Sequence, residues 1–221
     1  AFTDLSSDFS PQLSADLDSN GKNIIIDTAT GIIDENSNQQ ITFTTTGSAV
    51  NEFNVANAAT GNAPALSVTG GDTNIDLNLT PKGIGRATFN GQGKIQSVAE
   101  KVTTAATAAT GTVNYDVLTQ AVLNFTTDAA ANYTLNIRGD GSNSLDSIMD
   151  TGESITIAHI VKQGGTPYYN NAVTIDGSSI TPEWQGGSAP SAGNANSLDV
   201  YSYTIIKTGS ATFTALASQT Q

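Results

Sequence analysis

Apolar and polar residues alternate in short runs along much of the chain. The stretch from Thr69 to Gly91 shows this best, since Ile75, Leu77 and Leu79 alternate with polar residues after a Gly-Gly-Asp turn. A period of two is typical of a strand with one apolar face. A Pro-Lys-Gly turn and a second short strand, Arg86 to Asn90, complete a predicted hairpin. A two-stranded ribbon is marginal alone in water, so this one needs more of the same chain or other copies of it.

Further short strands are predicted ahead of this hairpin. They begin near Ile24, Ile41, Phe53 and Leu66, and Thr30-Gly31 is expected to form a turn between the first two. After the first gap, the strand starts recur roughly every 9 to 12 residues, and each strand has about two inward apolar side chains. The spacing is a loose repeat in period rather than in sequence.

Two apolar residues per strand cannot fill a globular core. They could fill the axis of a thin rod to which several chains each contribute a row, and closure around that axis would also cover the strand edges. The pattern therefore predicts an intertwined β shaft over residues 23–96, of the kind that homotrimeric fibres use. The residues expected to pack on the shared axis are Leu66, Val68, Ile75, Leu77, Leu79 and Phe89.

The N-terminal residues 1–22 have no clean period. Their apolar residues lie three or four apart, and Pro11 lies among them. The pattern predicts an extended or partly helical attachment arm that docks onto a neighbour, with a frayed terminus as the alternative. The apolar anchors of this arm are Phe2, Leu5, Phe9 and Leu13.

The composition changes after the shaft. Alanine and threonine dominate residues 92–112, which predicts a short helix or a linker, and we place the domain boundary near Gln96. The following strands are longer and bulkier. About seven strands with glycine-rich turns fit a small antiparallel β-sandwich or jelly roll, so residues 97–221 are predicted to form a head in an all-β protein. The main candidate strands are Gln120–Thr126, Tyr133–Ile137, Ser154–Val161, Ala172–Ile175, Val200–Lys207 and Ala211–Leu216, the last with Phe213 and Leu216 as its apolar residues.

Composition and charge narrow the possible partners. The chain has no cysteine, which excludes disulfides and thiolate metal sites. Its net charge is −12 without a basic patch, which argues against nucleic acid and anionic membranes as partners. Apolar runs stay well below the roughly 18 residues that span a bilayer, so no membrane insertion is expected.

Candidate catalytic groups are few. His159 is the only histidine, and its position in the middle of a strand favours a core or interface histidine over a catalytic one. Asp146, Asp150 and Glu153 cluster near one loop, and paired carboxylates could serve a glycosidase. Solvated loop acids are the favoured interpretation in so acidic a chain. We therefore expect no enzymatic activity and no cofactor.

Two short motifs near residue 140 also allow a simpler interpretation. Arg138-Gly139-Asp140 spells an adhesion tripeptide, but it also fits a strand that ends in a glycine turn. Asp140 to Ser144 is rich in oxygen ligands, but it lacks the spaced acids of a calcium loop. A structural turn is favoured for both.

The most surface-like part of the head combines aromatic and amide side chains. Such groups bind sugars or proteins by stacking and hydrogen bonding. Trp184 also fits a core tryptophan, which is the favoured alternative. The candidate surface residues are Tyr168, Tyr169, Asn170, Trp184 and Gln185.

Two parts of the sequence resemble a known group of proteins. The run GSAVNEFNVANAATGNAPALSVTGGDTNIDLNLTPKGIGRATFNG closely resembles a segment that recurs in virion structural and fibre proteins of tailed bacteriophages, many of them marine. The runs TGTVNYDVLTQAVL and IDGSSITPEWQGGSAPSAGNANSLDVYSYTIIKTGSATFT resemble a domain of the same proteins. Together they cover most of the chain.

The resemblance implies a homotrimeric fibre or appendage on the virion with a globular distal head. Its partners would be itself, other virion proteins through residues 1–22, and a glycan or protein of the host surface. It would be made in the host cytoplasm and reside in the virion, attached at the tail, the neck or the capsid. A monomeric carbohydrate-binding module is the alternative, and a polysaccharide depolymerase is a weaker one.

Overall fold

The computed structural model describes residues 23–220. The chain divides into two compact units, one ending at Leu79 and the other beginning at Thr80, so the predicted boundary near Gln96 lies inside the second unit. The regular structure is almost entirely β-strand, which confirms the all-β class.

The first unit contains two separate antiparallel hairpins. In the first, β1 pairs with β2, and in the second, β3 pairs with β4. A two-stranded sheet has little stability of its own, so neither hairpin explains how this unit is held together. The strands are β1 (Thr30–Ile33), β2 (Gln39–Phe43), β3 (Asn51–Ala56) and β4 (Ala65–Gly70).

The start of the first hairpin differs from the prediction. Residues 24–26 precede β1 without joining a sheet, and Thr30-Gly31 lies inside β1 rather than in a turn. A Cβ atom added at Gly31 would lie 1.7 Å from the carbonyl oxygen of Ile41 on β2. The glycine is therefore needed for the close approach of the two strands and not for a change in chain direction.

The hairpin predicted over Ile75–Leu79 and Arg86–Asn90 is wrong for the single chain. Within residues 23–220, no strand lies between Gly70 and Val102. A strand needs a neighbour for its backbone N–H and C=O groups, and these residues have none in the part of the chain that the structure describes. Residues 75–79 therefore show the alternation of a strand without the backbone hydrogen bonds to a neighbouring strand that normally accompany it.

The turn between those segments is formed as predicted. The Gly85 N–H donates to the carbonyl oxygen of Lys82 at 3.1 Å, and Gly83 has a φ of +61°. Residues 92–112 contain no helix, and a strand that begins at Val102 occupies part of them. Threonine and alanine in this segment fit a strand face, which explains why the helix alternative fails.

The second unit consists of two sheets. The six-stranded sheet has the order β12-β14-β13-β9-β7-β5, and the four-stranded sheet has the order β11-β10-β8-β6. A single helical turn, α1 (Leu145–Ile148), lies between β8 and β9. The strands are β5 (Val102–Ala108), β6 (Gly111–Asp116), β7 (Val122–Thr127), β8 (Tyr133–Arg138), β9 (Ser154–Lys162), β10 (Asn170–Ile175), β11 (Ser178–Ile180), β12 (Glu183–Trp184), β13 (Leu198–Gly209) and β14 (Thr212–Thr220).

The strand directions correct the prediction of an antiparallel arrangement. The β5–β7, β7–β9, β6–β8, β8–β10 and β12–β14 pairs are parallel, whereas β9–β13, β13–β14 and β10–β11 are antiparallel. The cause is the chain path, because β5 to β10 alternate between the two sheets. The chain crosses to the other sheet after each of these strands and crosses back after the next one. Strands that are neighbours within one sheet, such as β5 and β7, therefore run in the same direction.

The two sheets share one core. Tyr201, Tyr203 and Ile205 of β13 are fully buried, as are Leu135 and Ile137 of β8 on the opposite sheet. The predicted inward faces of these strands are confirmed. In β14, Ala215 and Ala217 are buried, Phe213 is half-buried, and Leu216 is exposed because it pairs with the outward-facing Thr204.

Candidate self-assembly interface

Exposed apolar side chains concentrate in the first half of the described chain. Within residues 23–220, nearly all large exposed apolar residues lie before residue 103, whereas every buried apolar residue lies at or after Ala109. Val55 is 80% exposed and Phe89 is 74% exposed. Burial of one such side chain is worth about 1.5–3 kcal/mol. So many exposed apolar side chains are typical of a segment that takes part in an interface.

The second hairpin presents a one-sided apolar face. Phe53 pairs with Val68 across the strands, and Val55 pairs with Leu66. Ile75 lies beside this row, where it lines a groove of about 300 Å³ together with Phe53 and Val68. The opposite face of the hairpin is polar and carries Glu52, Asn54, Ser67 and Thr69.

A polar clamp fixes the end of this hairpin. The Gly71 N–H donates to the carbonyl oxygen of Val50 at 2.8 Å. The Asn51 side-chain amide donates to the Asp72 carboxylate at 2.7 Å, and the Asp72 N–H donates back to Asn51 at 3.3 Å. The predicted Gly70-Gly71-Asp72 turn therefore directs the chain so that Ile75 lies against the apolar row.

The first hairpin has a similar face that the sequence pattern did not identify. Ile32 pairs with Ile41, and Thr30 pairs with Phe43, so that these side chains share one side of the hairpin. Ile32, Ile41 and Phe43 are all exposed. Only the cross-strand register shows that they form one surface, because β1 was expected to be a turn.

The six residues predicted for the shared axis are brought together only in part. Leu66, Val68 and Ile75 lie on or beside the face of the second hairpin. Leu77 and Leu79 follow as exposed residues outside any ladder, and Phe89 is exposed within the second unit. In a single chain these side chains therefore face water.

The acidic residues considered for catalysis are held in ion pairs. Arg86 contacts Glu153 at 2.6 Å and Asp150 at 3.0 Å. The hydrogen bond from Arg86 lowers the pKa of Glu153. Asp146 pairs with Lys207 at 2.7 Å, and the hydrogen bond from Lys207 lowers the pKa of Asp146. A general acid needs a raised pKa, which neither group has.

His159 lies in the core of the second unit, as predicted. It is fully buried among aromatic rings, with the ring of Tyr133 at 5.5 Å, that of Phe125 at 5.6 Å and that of Tyr201 at 6.1 Å. Burial lowers the pKa of His159 to about 4. The imidazole is therefore neutral near pH 7 and has no access to a substrate.

Asn170 is a core residue, which corrects its assignment to a binding surface. Its side-chain oxygen accepts from the Tyr203 hydroxyl at 2.7 Å, and its amide nitrogen donates to the carbonyl oxygen of Tyr133 at 3.0 Å. A buried amide is stable only when such bonds satisfy it. Asparagine therefore serves here to join β10 to the tyrosines of β13.

The other candidate surface residues are dispersed. Tyr168 and Tyr169 are half-buried next to Asn170. Trp184 is half-buried and packs edge-on against Tyr203 at 5.9 Å, while Gln185 is exposed. Trp184 and Gln185 line a shallow pocket of about 290 Å³, whose other lining residues are Glu183, Ser202, Thr204, Leu216, Ala217 and Ser218.

The two motifs near residue 140 form structural turns. Arg138 pairs with Asp116 at 2.6 Å. Asp140 accepts from the backbone N–H groups of Ser142 and Asn143, both at 2.7 Å. Over residues 23–220, no cluster of three or more His, Asp or Glu side chains is placed to hold a metal ion.

In the described part of the chain, no helix is long and apolar enough to cross a bilayer. The proposed anchors Phe2, Leu5, Phe9 and Leu13 lie outside the described residues.

Comparison with known protein families, with curated proteins and with solved structures finds no match for this chain. Its function is therefore argued from the geometry and from the resemblance of its sequence segments.

Proposed function

We propose that this chain is a non-enzymatic structural component of a tailed-phage virion, a short homotrimeric fibre or appendage. Residues 23–96 form its shaft and residues 97–221 form its sandwich-like head. One observation carries the proposal: within residues 23–220, most large apolar side chains of the shaft segment are exposed and none belongs to the buried core.

Other copies of the same chain would supply that core. Each hairpin has one apolar face, and three copies that turn these faces inward bury them together. Closed symmetry of this kind also pairs the strand edges that one chain leaves open. Leu77, Leu79 and Phe89, which are exposed in one chain, would then lie on the shared axis.

The state of the acidic residues supports the non-enzymatic part of the proposal. A depolymerase would need a carboxylic acid with a raised pKa beside a carboxylate. Here Glu153 and Asp146 are each paired with a cation that lowers their pKa. Release of reducing sugar from host capsule, abolished by Glu153→Gln, would contradict this assignment.

The location and the partners rest on the resemblance to phage virion proteins. Residues 1–22 attach the fibre to other virion proteins at the tail, the neck or the capsid, and the head contacts the host surface. The net charge of −12 is consistent with the absence of nucleic acid or an anionic membrane among the partners.

Labelled antibody against the recombinant chain tests this proposal on purified phage particles. We expect gold label at one defined position on the virion, and the chain among the proteins of gradient-purified particles. As the control, excess free recombinant protein is added to occupy the antibody, and the gold label on the particles should then disappear. Recovery of the chain only from the soluble lysate would contradict the proposal.

A monomeric carbohydrate-binding module is the second candidate. The shallow pocket at Trp184 supports it, because an aromatic side chain beside amide and hydroxyl groups suits a sugar. A glycan array with the wild type and Gln185→Ala separates the two functions. Binding that is lost in Gln185→Ala, by a protein of single-chain mass, would favour the module.

A further inference from the structure

The two outer faces of the second unit differ in chemistry. On the four-stranded sheet, outward side chains bond to one another: the Asn136 amide donates to Asn114 at 2.9 Å, and the Thr174 hydroxyl donates to Asn136 at 2.8 Å. Arg138 pairs with Asp116 in the next row. This face carries no outward apolar residue larger than alanine on its strands. It is a face satisfied by its own contacts and by water.

The outer face of the six-stranded sheet is almost uncharged and mixes aliphatic side chains with those of serine and threonine. Across four adjacent strands, the outward row consists of Ser202, Ala158, Val122 and Val102. The outward charges on the described strands are Lys162, at one end of β9, and Glu183, on the edge strand β12. The larger apolar residues on this face are Val102, Val122, Ile160, Leu198, Val200, Ile206 and Leu216.

We propose that the outer face of the six-stranded sheet packs against neighbouring copies of the same head, so that the head contributes to the assembly. The inference rests on the proposed trimer and extends it, because the trimer could equally be held by the shaft segment alone. In this arrangement, the outer face of the four-stranded sheet faces solvent on the outside of the assembled heads.

Charge identifies the occupant as a second copy. Each chain carries a net charge of −12, so copies repel one another over most of their surface. An uncharged face is where that repulsion is smallest and where apolar burial is available. The middle of the face has no aromatic side chain on which a sugar could stack.

Continuity along the chain points to the same occupant. Val98 is 64% exposed and Val102 is 52% exposed, and β5 starts at Val102 on the edge of this face. Val102 pairs with Val122 of β7. The exposed apolar residues Ile95 and Val98 thus lie shortly before the strand that begins this face. Copies that associate through residues before β5 therefore bring these edges close together.

Single cysteines in the full-length chain test the inference, because the natural sequence has none. Ala158→Cys places a thiol in the middle of the six-stranded face. Thr134→Cys is the matched control, since Thr134 is also half-buried and outward on a central strand, but of the four-stranded sheet. In the native protein, we expect maleimide to label Ala158→Cys at least about tenfold more slowly than Thr134→Cys, because a thiol in the core of an interface is shielded. In guanidinium, which unfolds both variants, we expect the two labelling rates to be equal.

The native mass of each variant separates the two proposals. A trimeric mass with equal labelling rates would overturn the role of this face while the trimer stands. A single-chain mass with rapid labelling would overturn both. If Ala158→Cys does not fold, Ser202→Cys tests the same row on β13, and rapid labelling there in a trimer equally refutes the inference.

Discussion

The two halves of the described chain use similar strands in opposite ways. In residues 23–102, strands with one or two apolar residues pair only into hairpins and leave those residues in water. In residues 109–220, strands with bulkier inward residues close into two sheets around a core. Alternation is common to both halves. The bulk of the inward residues decides whether a strand finds its core in its own chain.

The strands β4 and β13 make this difference concrete. In β4, Leu66 and Val68 are the large apolar residues, and both need a partner from outside the hairpin. In β13, Tyr201 and Tyr203 stack at 6.5 Å and are fully buried. A tyrosine ring buries a large apolar area and also carries a hydroxyl group that can form a hydrogen bond. Asn170 accepts the hydrogen bond of the Tyr203 hydroxyl, so this buried hydroxyl is satisfied.

Substitution of the shaft residue Leu77 should have the largest effect. Leu77 is exposed in the single chain, so Leu77→Asp removes little from an isolated chain. In the proposed trimer it brings three carboxylates onto an apolar axis, where burial of a charge is strongly unfavourable. We expect the native mass to fall from three chains to one. Asn78→Asp, which adds the same charge at the next position, should stay trimeric.

A soluble and fully trimeric Leu77→Asp variant would contradict the axis assignment. The same measurement on Phe89→Asp would then show whether the axis lies elsewhere in residues 23–96.

Truncation of a head core residue should have the next largest effect. Ile205 is fully buried, so Ile205→Ala should lower the free energy of unfolding of the head by about 2–5 kcal/mol. Denaturant titration followed by tryptophan fluorescence measures this, because the sole tryptophan, Trp184, packs on the same core. Ile206→Ala, on the opposite side of β13, should have a smaller effect. Equal losses from the two substitutions would contradict the assigned faces.

Acid should destabilise the head through His159. The pKa of His159 is lowered by burial to about 4, whereas it is about 6.5 in an unfolded chain. Between about pH 6.5 and 4 only the unfolded chain binds the proton, so the free energy of unfolding falls by roughly 3 kcal/mol as the pH decreases through this window. Denaturant titrations at several pH values measure the slope.

His159→Phe provides the control for this pH dependence. It should flatten the slope in that window, because no other histidine is present. Burial raises the pKa of Asp199, so that group contributes with the opposite sign between the ordinary and the raised pKa of its carboxyl. An unchanged slope in His159→Phe would show that other groups cause the acid sensitivity.

Removal of the exposed ion pair at Arg86 should have the smallest effect. Asp150 is largely solvated and Glu153 is partly exposed, and exposed pairs contribute little and are screened by salt. We expect Arg86→Ala to change the melting temperature slightly at low salt and not at high salt. A large, salt-independent loss of stability would indicate that Arg86 fixes the segment before the head.

The sequence pattern was sufficient for the head strands and insufficient for the shaft. The inward face of β9 and that of β13 could be predicted because their apolar residues are numerous and alternate cleanly. The predicted pairing of residues 75–79 is absent within residues 23–220, because alternation indicates an apolar face but does not identify a partner strand. The parallel pairs were missed because strand direction depends on the crossover path between sheets, which periodicity does not record.

The candidate site shows the same limit. Trp184 was predicted as a core tryptophan, and it packs on the tyrosines. Asn170 was assigned to the surface because asparagine is usually solvated. Its burial depends on the Tyr203 hydroxyl, which lies 33 residues away in the sequence. Ile32 and Ile41 were missed because their common face depends on a register that glycine at position 31 makes possible.

The native mass of the full-length protein in solution tests the central claim most directly. Light scattering should give three times the chain mass of 22.6 kDa, because in the proposed trimer other copies cover the apolar faces of residues 23–102. A mass of one chain, in a protein that is folded and stable, would mean that these residues find a core within their own chain. The fibre proposal would then be wrong.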